Sequence, residues 1–248
     1  MELNKQITPS LPNAVQESLE RLGNQLQEAL GEQLLSIILY GGLAKGEYAP
    51  QSSDVNVMVV LKEITLAALD RIAPLLQQAG RDINLAPLLL SENDLRRSTD
   101  VFPIKFLDMQ RHHHVLWGRD MLADLPIARD HLRWRCEQEI KNLLLRLRQF
   151  YLRRSHYSER IESTLTRALP AFLTSLSMVV ELKIGAATTT KAEIIAAAEK
   201  IGLNNQPLRD IFALKRGELK PDAAELKRLY GAFMQTVQQA AEIVDTLF

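Results

Sequence analysis

Between Tyr40 and Val60 the chain reads YGGLAKGEYAPQSSDVNVMVV, and the residues best suited to chemistry lie there. Gly41 and Gly42 close an apolar run. Without a Cβ, backbone at such a point can approach a phosphate closely, and its N–H groups can receive phosphate oxygens. Lys45 offers a positive charge to the same anion. Ser53 and Asp54 then open a second apolar run, and Asn56 comes two residues later. Asp54 and Asn56 are two residues apart on a strand, so both side chains lie on one face. Two oxygen ligands aimed at one point suit magnesium. Each residue also has a plainer role: a tight turn for the glycines, a solvated loop charge for Lys45, a strand-end cap for Asp54.

Such residues need elements to hold them. Leu11, Val15, Leu19, Leu22, Leu26 and Leu30 form one apolar stripe at helical spacing, with Gly31 suited to end it. Leu34–Tyr40 and Val55–Leu61 read as buried strands on either side of the glycines. Thr65 can cap a helix through Leu76 that Gly80 stops. Ile83–Leu90 is a third strand, and Pro87 means that it lies at an edge or carries a kink. Ser91 and Asp94 resemble a capping box. Beyond residue 128 only helical patterns occur, about five of them, the second carrying Pro170 as an expected kink. Thr190 and Glu193 open the third.

Charge divides the chain at the same place. Residues 1–128 carry 11 Lys/Arg and 16 Asp/Glu, and residues 129–248 carry 19 and 14, so a formal net charge of zero hides −5 beside +5. The chain therefore reads as two domains, 1–126 and 127–248. The 248 residues are 46% apolar, enough for a normal core, which excludes disorder. Zero net charge argues against a nucleic-acid partner. The basic stretch Arg129–Arg167, ten basic residues to five acidic, is better taken as a solvated helix face. A single cysteine, Cys136, excludes a disulfide framework, fits a core thiol and points to the cytoplasm. The segment 1–12 lacks an apolar leader core, and the longest uncharged apolar stretch, Ala168–Val180, falls short of a membrane span. His112, His113 and His114 are adjacent, so they cannot easily share one ion and are expected in a surface turn.

The segment from the first strand to Asp54 resembles the nucleotidyltransferase fold of the polymerase-β superfamily. Gly41-Gly42, the run Ala44-Lys45-Gly46 and the pair Ser53-Asp54 carry the resemblance, and Val101–Gly118 is similar to the segment after the catalytic core in some bacterial members. It implies a mixed α/β domain with an appended helical bundle and a nucleotide site in the cleft between them. It also implies that Gly41, Gly42, Lys45 and Ser53 meet a nucleoside triphosphate and that Asp54 binds magnesium. The family's second acid is Asn56 here, and its third would fall on the strand at Ile83–Leu90, whose middle positions Asn84, Ala86 and Leu88 carry no carboxylate. Two magnesium ions bring four positive charges, of which Asp54 alone offsets one. The expectation is a nucleotide-binding or regulatory protein with a degraded two-metal site and weak or absent magnesium binding. The alternative is an active transferase that moves a nucleoside monophosphate to a hydroxyl of a small molecule or protein, with a side chain such as Glu181 as base.

Overall fold

The structure, a computed structural model, describes residues 11–46, 53–185, 187–188 and 190–247. Residues 47–52, between the glycine run and Ser53, lie outside them, as do residues 1–10. The chain forms two compact units, Met1–Ile127 and Ala128–Phe248.

The first unit is a four-stranded mixed sheet covered on both faces. Its elements are α1 (Asn13–Leu30), β1 (Leu34–Tyr40), β2 (Val55–Leu61), α2 (Leu66–Ile83), β3 (Leu85–Ser91), α3 (Glu92–Arg97), α4 (Pro103–Arg111) and β4 (His113–Gly118). The strand order is β3-β2-β1-β4. β1 runs antiparallel to β2 and β4, while β2 and β3 are parallel and joined through α2. A parallel pair needs such a crossover, and a helix fills it.

Alternation along the strands sorts two cores. Ile37, Leu39, Val57 and Val59 pack with Leu19, Leu22 and Leu26 of α1 and Ile72 and Ala79 of α2. Ile38, Met58 and Val60 pack on the opposite face with Leu95 of α3, Phe106 and Met109 of α4, and Leu122 and Leu125. Both central strands are therefore apolar at nearly every position, as strands buried on two faces must be. β3 is an edge strand, where Pro87 leaves no ladder bond missing. Ser91 and Asp94 form a complete capping box. Ser36, fully buried, donates from Oγ to the carbonyl of Arg119 (2.7 Å), which ties the end of β4 to β1.

Three local expectations need correction. α2 does not stop at Gly80 but continues to Ile83. Asn84 is not a strand residue: it is the left-handed C-cap of α2, at φ 52° and ψ 46°. His113 and His114 do not sit in a surface turn, since they open β4 and pair with Tyr40 and Leu39. The apolar part of β4 is only three residues long, and pairing with β1 supplies what local pattern lacks.

After β4, Asp120 accepts N–H bonds from Leu122 (2.9 Å) and Ala123 (3.1 Å) and lies 3.0 Å from His113 Nε2. Burial pushes its carboxyl pKa up, but the bonds from Leu122, His113 and Ala123 and the His113 charge outweigh this and hold it below its usual value of 3.8. A lowered folded-state pKa stabilises the fold fully above the ordinary value, and the contribution fades as pH falls through the lower one. Asp120→Asn should therefore reduce the melting temperature at about pH 6 and converge with the parent toward about pH 2. A gap that stays constant over that range in thermal scans would contradict this.

The second unit is all helical: α5 (Arg129–Arg154), α6 (Ser158–Ile184), α7 (Lys191–Lys200), α8 (Gln206–Lys215) and α9 (Ala223–Asp245). α5, α6 and α9 pack on one another, while α7 and α8 lie against α6. Phe172 meets Phe233 edge-to-face at 5.6 Å, and the buried Tyr230 donates its hydroxyl to the Leu147 carbonyl at 2.7 Å. Burial pushes the Cys136 thiol up to about 12, with the Glu139 charge adding to it, so the thiol stays protonated and inert. α6 continues through Pro170 as one helix. By length and composition it is apolar enough to cross a membrane, but 56% of its most apolar window is buried within the structure.

Candidate active site

One end of the sheet gathers the residues of interest. Register places Ala86, Asn56, Tyr40 and His113 side by side across β3, β2, β1 and β4. Residues paired across strands share a face, and Met58, Val60 and Ile38 further along put that face on the α3/α4 side. At about 4.8 Å per strand the row is roughly 14 Å long. Gly41 continues β1 past this row, while Asp54 precedes β2 and Asn84 precedes β3. All three thus stand at the same end of the sheet.

Among the described residues, the side chains that hydrogen-bond to Asp54, itself exposed, are neutral. Asn84 donates from Nδ2 to Asp54 Oδ1 at 2.6 Å, and Asn56 Nδ2 donates to the Asp54 backbone carbonyl at 3.3 Å. The left-handed cap at Asn84 is what aims its carboxamide at this carboxylate. Ala86, in register with Asn56, presents a methyl group to the same face. Among the described residues, no three His, Cys, Asp or Glu side chains group as a metal site requires. The donor set at this point is one carboxylate and two carboxamides. It does not fit a pair of divalent ions, whose charge calls for several acidic ligands.

The loop after β1 is shaped by its neighbours. Gly41 has φ +77°, and a Cβ there would stand 3.0 Å from Asn56 Nδ2, so the space a side chain would take is partly filled by that carboxamide. The Lys45 N–H reaches the carbonyls of Gly41 and Gly42, both at 3.1 Å, which closes the loop on itself. Lys45 Nζ does not project freely toward a ligand. It lies 2.6 Å from Asp108 Oδ1 on α4, with His112 Nδ1 3.5 Å from the same oxygen. His114 Nε2 lies 3.3 Å from the Ala44 carbonyl. α4 and the start of β4 thus hold the loop from its far side. The partly exposed pair is worth about 1 kcal/mol or less, so an incoming phosphate can compete for Lys45. Ser53 is half-buried just before Asp54.

Tyr40 and His113 belong to this row, although the sequence pattern assigned Tyr40 no role and placed His113 in a surface turn. Burial pushes the Tyr40 hydroxyl above its ordinary pKa. The Lys105 ammonium stands 6.0 Å from the centre of its ring. His113 is turned toward Asp120. No spacing rule predicts this row, because it depends on the register of β4 against β1. Glu181 lies on α6, half-buried, in the second unit.

Neither a protein-family model nor a curated protein matches the sequence. Among solved structures the chain resembles the spectinomycin adenyltransferase AAD(9) from Enterococcus faecialis, solved with ATP and spectinomycin. The TM-score is 0.54 at 14% identity, over 93% of this chain and 99% of that one. The likeness is one of fold, and it spans both units. The chain shares the fold of that adenyltransferase: a mixed-sheet unit with an appended helical bundle. Its described residues hold no group of three carboxylate, histidine or cysteine side chains placed for a metal ion.

Proposed function

We propose that this protein binds a nucleotide at the Gly41–Gly42 loop, with Lys45 and Ser53 toward the phosphates and Asp54 beside them, and does not transfer it efficiently. Its role on this reading is regulatory, in the cytoplasm. The observation that carries the proposal is the register pair Asn56–Ala86. An amide and a methyl group occupy the two places on the sheet where acids would flank Asp54. Asp54 itself is engaged by Asn84. Phosphoryl-type transfer depends on metal ions that hold the attacking and leaving oxygens, and one carboxylate anchors them poorly. Backbone contacts to phosphate need no such charge, so binding can outlast catalysis.

Calorimetric titration with ATP, GTP, CTP and UTP tests this. At least one should bind, with affinity changing less than about tenfold when magnesium is added. Absence of binding by all four would end the nucleotide reading. A gain above about a hundredfold with magnesium would show a competent metal site. The fold's likeness to an adenyltransferase favours a second reading, transfer of a nucleoside monophosphate to a hydroxyl of a small molecule or protein. That reading requires an acid from elsewhere in the chain, for which Glu181 is one candidate.

A further inference from the structure

α5 carries an exposed apolar stripe that its own bundle does not use. Its buried residues, Leu132, Cys136, Ile140, Leu143, Leu144 and Leu147, face α6 and α9. On the reverse side Trp134 is 57% exposed, Leu145 52% and Leu152 84%. At about 100° per residue these three lie within roughly 20° of one another, along about 27 Å of helix. Leu145 and Leu152 are one heptad apart. Leaving such side chains in water has no benefit to the bundle, whose core is complete without them.

Along the C-terminal half of the stripe the charges are of one sign. Residues 140–158 contain five Lys/Arg and no Asp/Glu. Measured from Leu145, Arg146 and Arg153 project about 80–100° to one side, and Lys141, paired with Glu137 and Asp245, and Arg148, bonded to Gln238, about 40–60° to the other. Toward the start of α5 the arginines are matched within the helix: Arg133 with Glu137, Arg135 with Glu139. Arg146 and Arg153, although exposed, have no carboxylate within ion-pair distance among the described residues. An apolar seam with an unmatched positive flank at Arg146 and Arg153 is the complement of a helix with an apolar seam and a negative flank.

We infer that the outer face of α5, with Trp134, Leu145 and Leu152 at its centre and Arg146 and Arg153 at its edge, docks an acidic amphipathic helix of a partner protein. A second copy of α5 is a poor occupant, because its own arginines would oppose these. The stripe is one residue wide and interrupted by Gln138 and Gln149, too narrow for the broad apolar face that lies on a membrane. Trp134 is the one ring in the stripe on which a base could stack, and two leucines in line with it offer no track for successive bases. The proposal is independent of the nucleotide reading.

The test uses the full chain with Trp117→Phe, so that Trp134 alone reports by fluorescence. The probe is a synthetic 28-residue helix with leucine at the a and d positions and glutamate at e and g. A scrambled peptide of the same composition serves as control. The expected result is saturable binding with a blue shift of Trp134, at least tenfold tighter than the scrambled peptide. Leu145→Gln/Leu152→Gln should weaken it at least tenfold. Arg146→Glu/Arg153→Glu should weaken it likewise and shift preference to a peptide with lysine at e and g. These exposed substitutions leave the fold intact, which circular dichroism checks. Equal binding of both peptides, indifference to either double variant, or no binding overturns the proposal. So does a Trp134 shift elicited only by anionic phosphatidylserine vesicles, by an oligouridylate, or by self-association in light scattering.

Discussion

The Asn56→Asp/Ala86→Asp double variant should bind manganese about a hundredfold more tightly than the parent, while Asn56→Asp alone should gain about tenfold at most. Asn56 and Ala86 are paired in register on the same face, next to Asp54. Acids at both positions would build a three-carboxylate cluster on adjacent strands without moving the backbone. A carboxylate about 4 Å from a divalent charge contributes roughly 2 kcal/mol even at the dielectric constant of water. That is about thirtyfold in affinity. Mutual repulsion of the three acids removes part of the second increment, hence the smaller total. The single variant gains less because Asn84 still competes for the Asp54 oxygen at 2.6 Å. Binding can be followed by manganese electron paramagnetic resonance. A single variant that matches the double would mean that another acid already serves the site.

The second large effect concerns the frame. Gly118→Ala should lower the stability of the first unit by more than about 3 kcal/mol, whereas Gly31→Ala, at φ 53° and ψ −127°, should cost about 1–3 kcal/mol. Both glycines have positive φ, +81° and +53°, so each alanine suffers a backbone penalty. They differ in space. A Cβ at Gly118 would stand 2.2 Å from the Leu35 carbonyl oxygen and 3.0 Å from the backbone at Leu35 and Ser36, but nothing lies within 4 Å of one at Gly31. The obstruction is backbone of β1, a central strand paired on both sides, which cannot swing away as a side chain would. Since β4 brings His113 beside Tyr40, loss of this corner should also disorder the site. Urea denaturation of the two variants measures the contrast. Equal costs would show that the end of β4 can shift freely.

Much of this fold is written in local pattern. The leucine stripe of α1, the β-branched runs of β1 and β2, and the capping boxes at Ser91 and Thr190 are signals within a few residues of one another. Pro87 marked either an edge strand or a kinked one, and the strand lies at an edge, because a missing N–H is a local fact with a global consequence. The errors came where distant contacts decide. Gly80 looked like a helix stop, but it is tolerated inside α2, where an added Cβ would sit 3.9 Å from the Leu85 carbonyl. Asn84 looked like a strand residue, although asparagine readily serves as a left-handed cap. That conformation turns it onto Asp54. β4 was hidden by three histidines at its start, and only its register against β1 reveals it.

The site was legible to the same extent. The glycines, Asp54 and the neutral Asn56 were visible as a motif with one acid where more are needed. That Ala86, rather than Asn84 or Leu88, stands beside Asn56 could not be known before the parallel register of β2 and β3. Nor could the engagement of Lys45 by Asp108, sixty-three residues away. Neither contact leaves a trace in spacing.

The account depends on the neutrality of the surroundings of Asp54. The most direct test incubates the purified full chain with each α-labelled nucleoside triphosphate, magnesium or manganese, and a panel of hydroxyl acceptors that includes the protein itself. The account predicts no labelled product above the level given by Asp54→Ala. Labelled product that forms with the parent chain and vanishes in Asp54→Ala would contradict it.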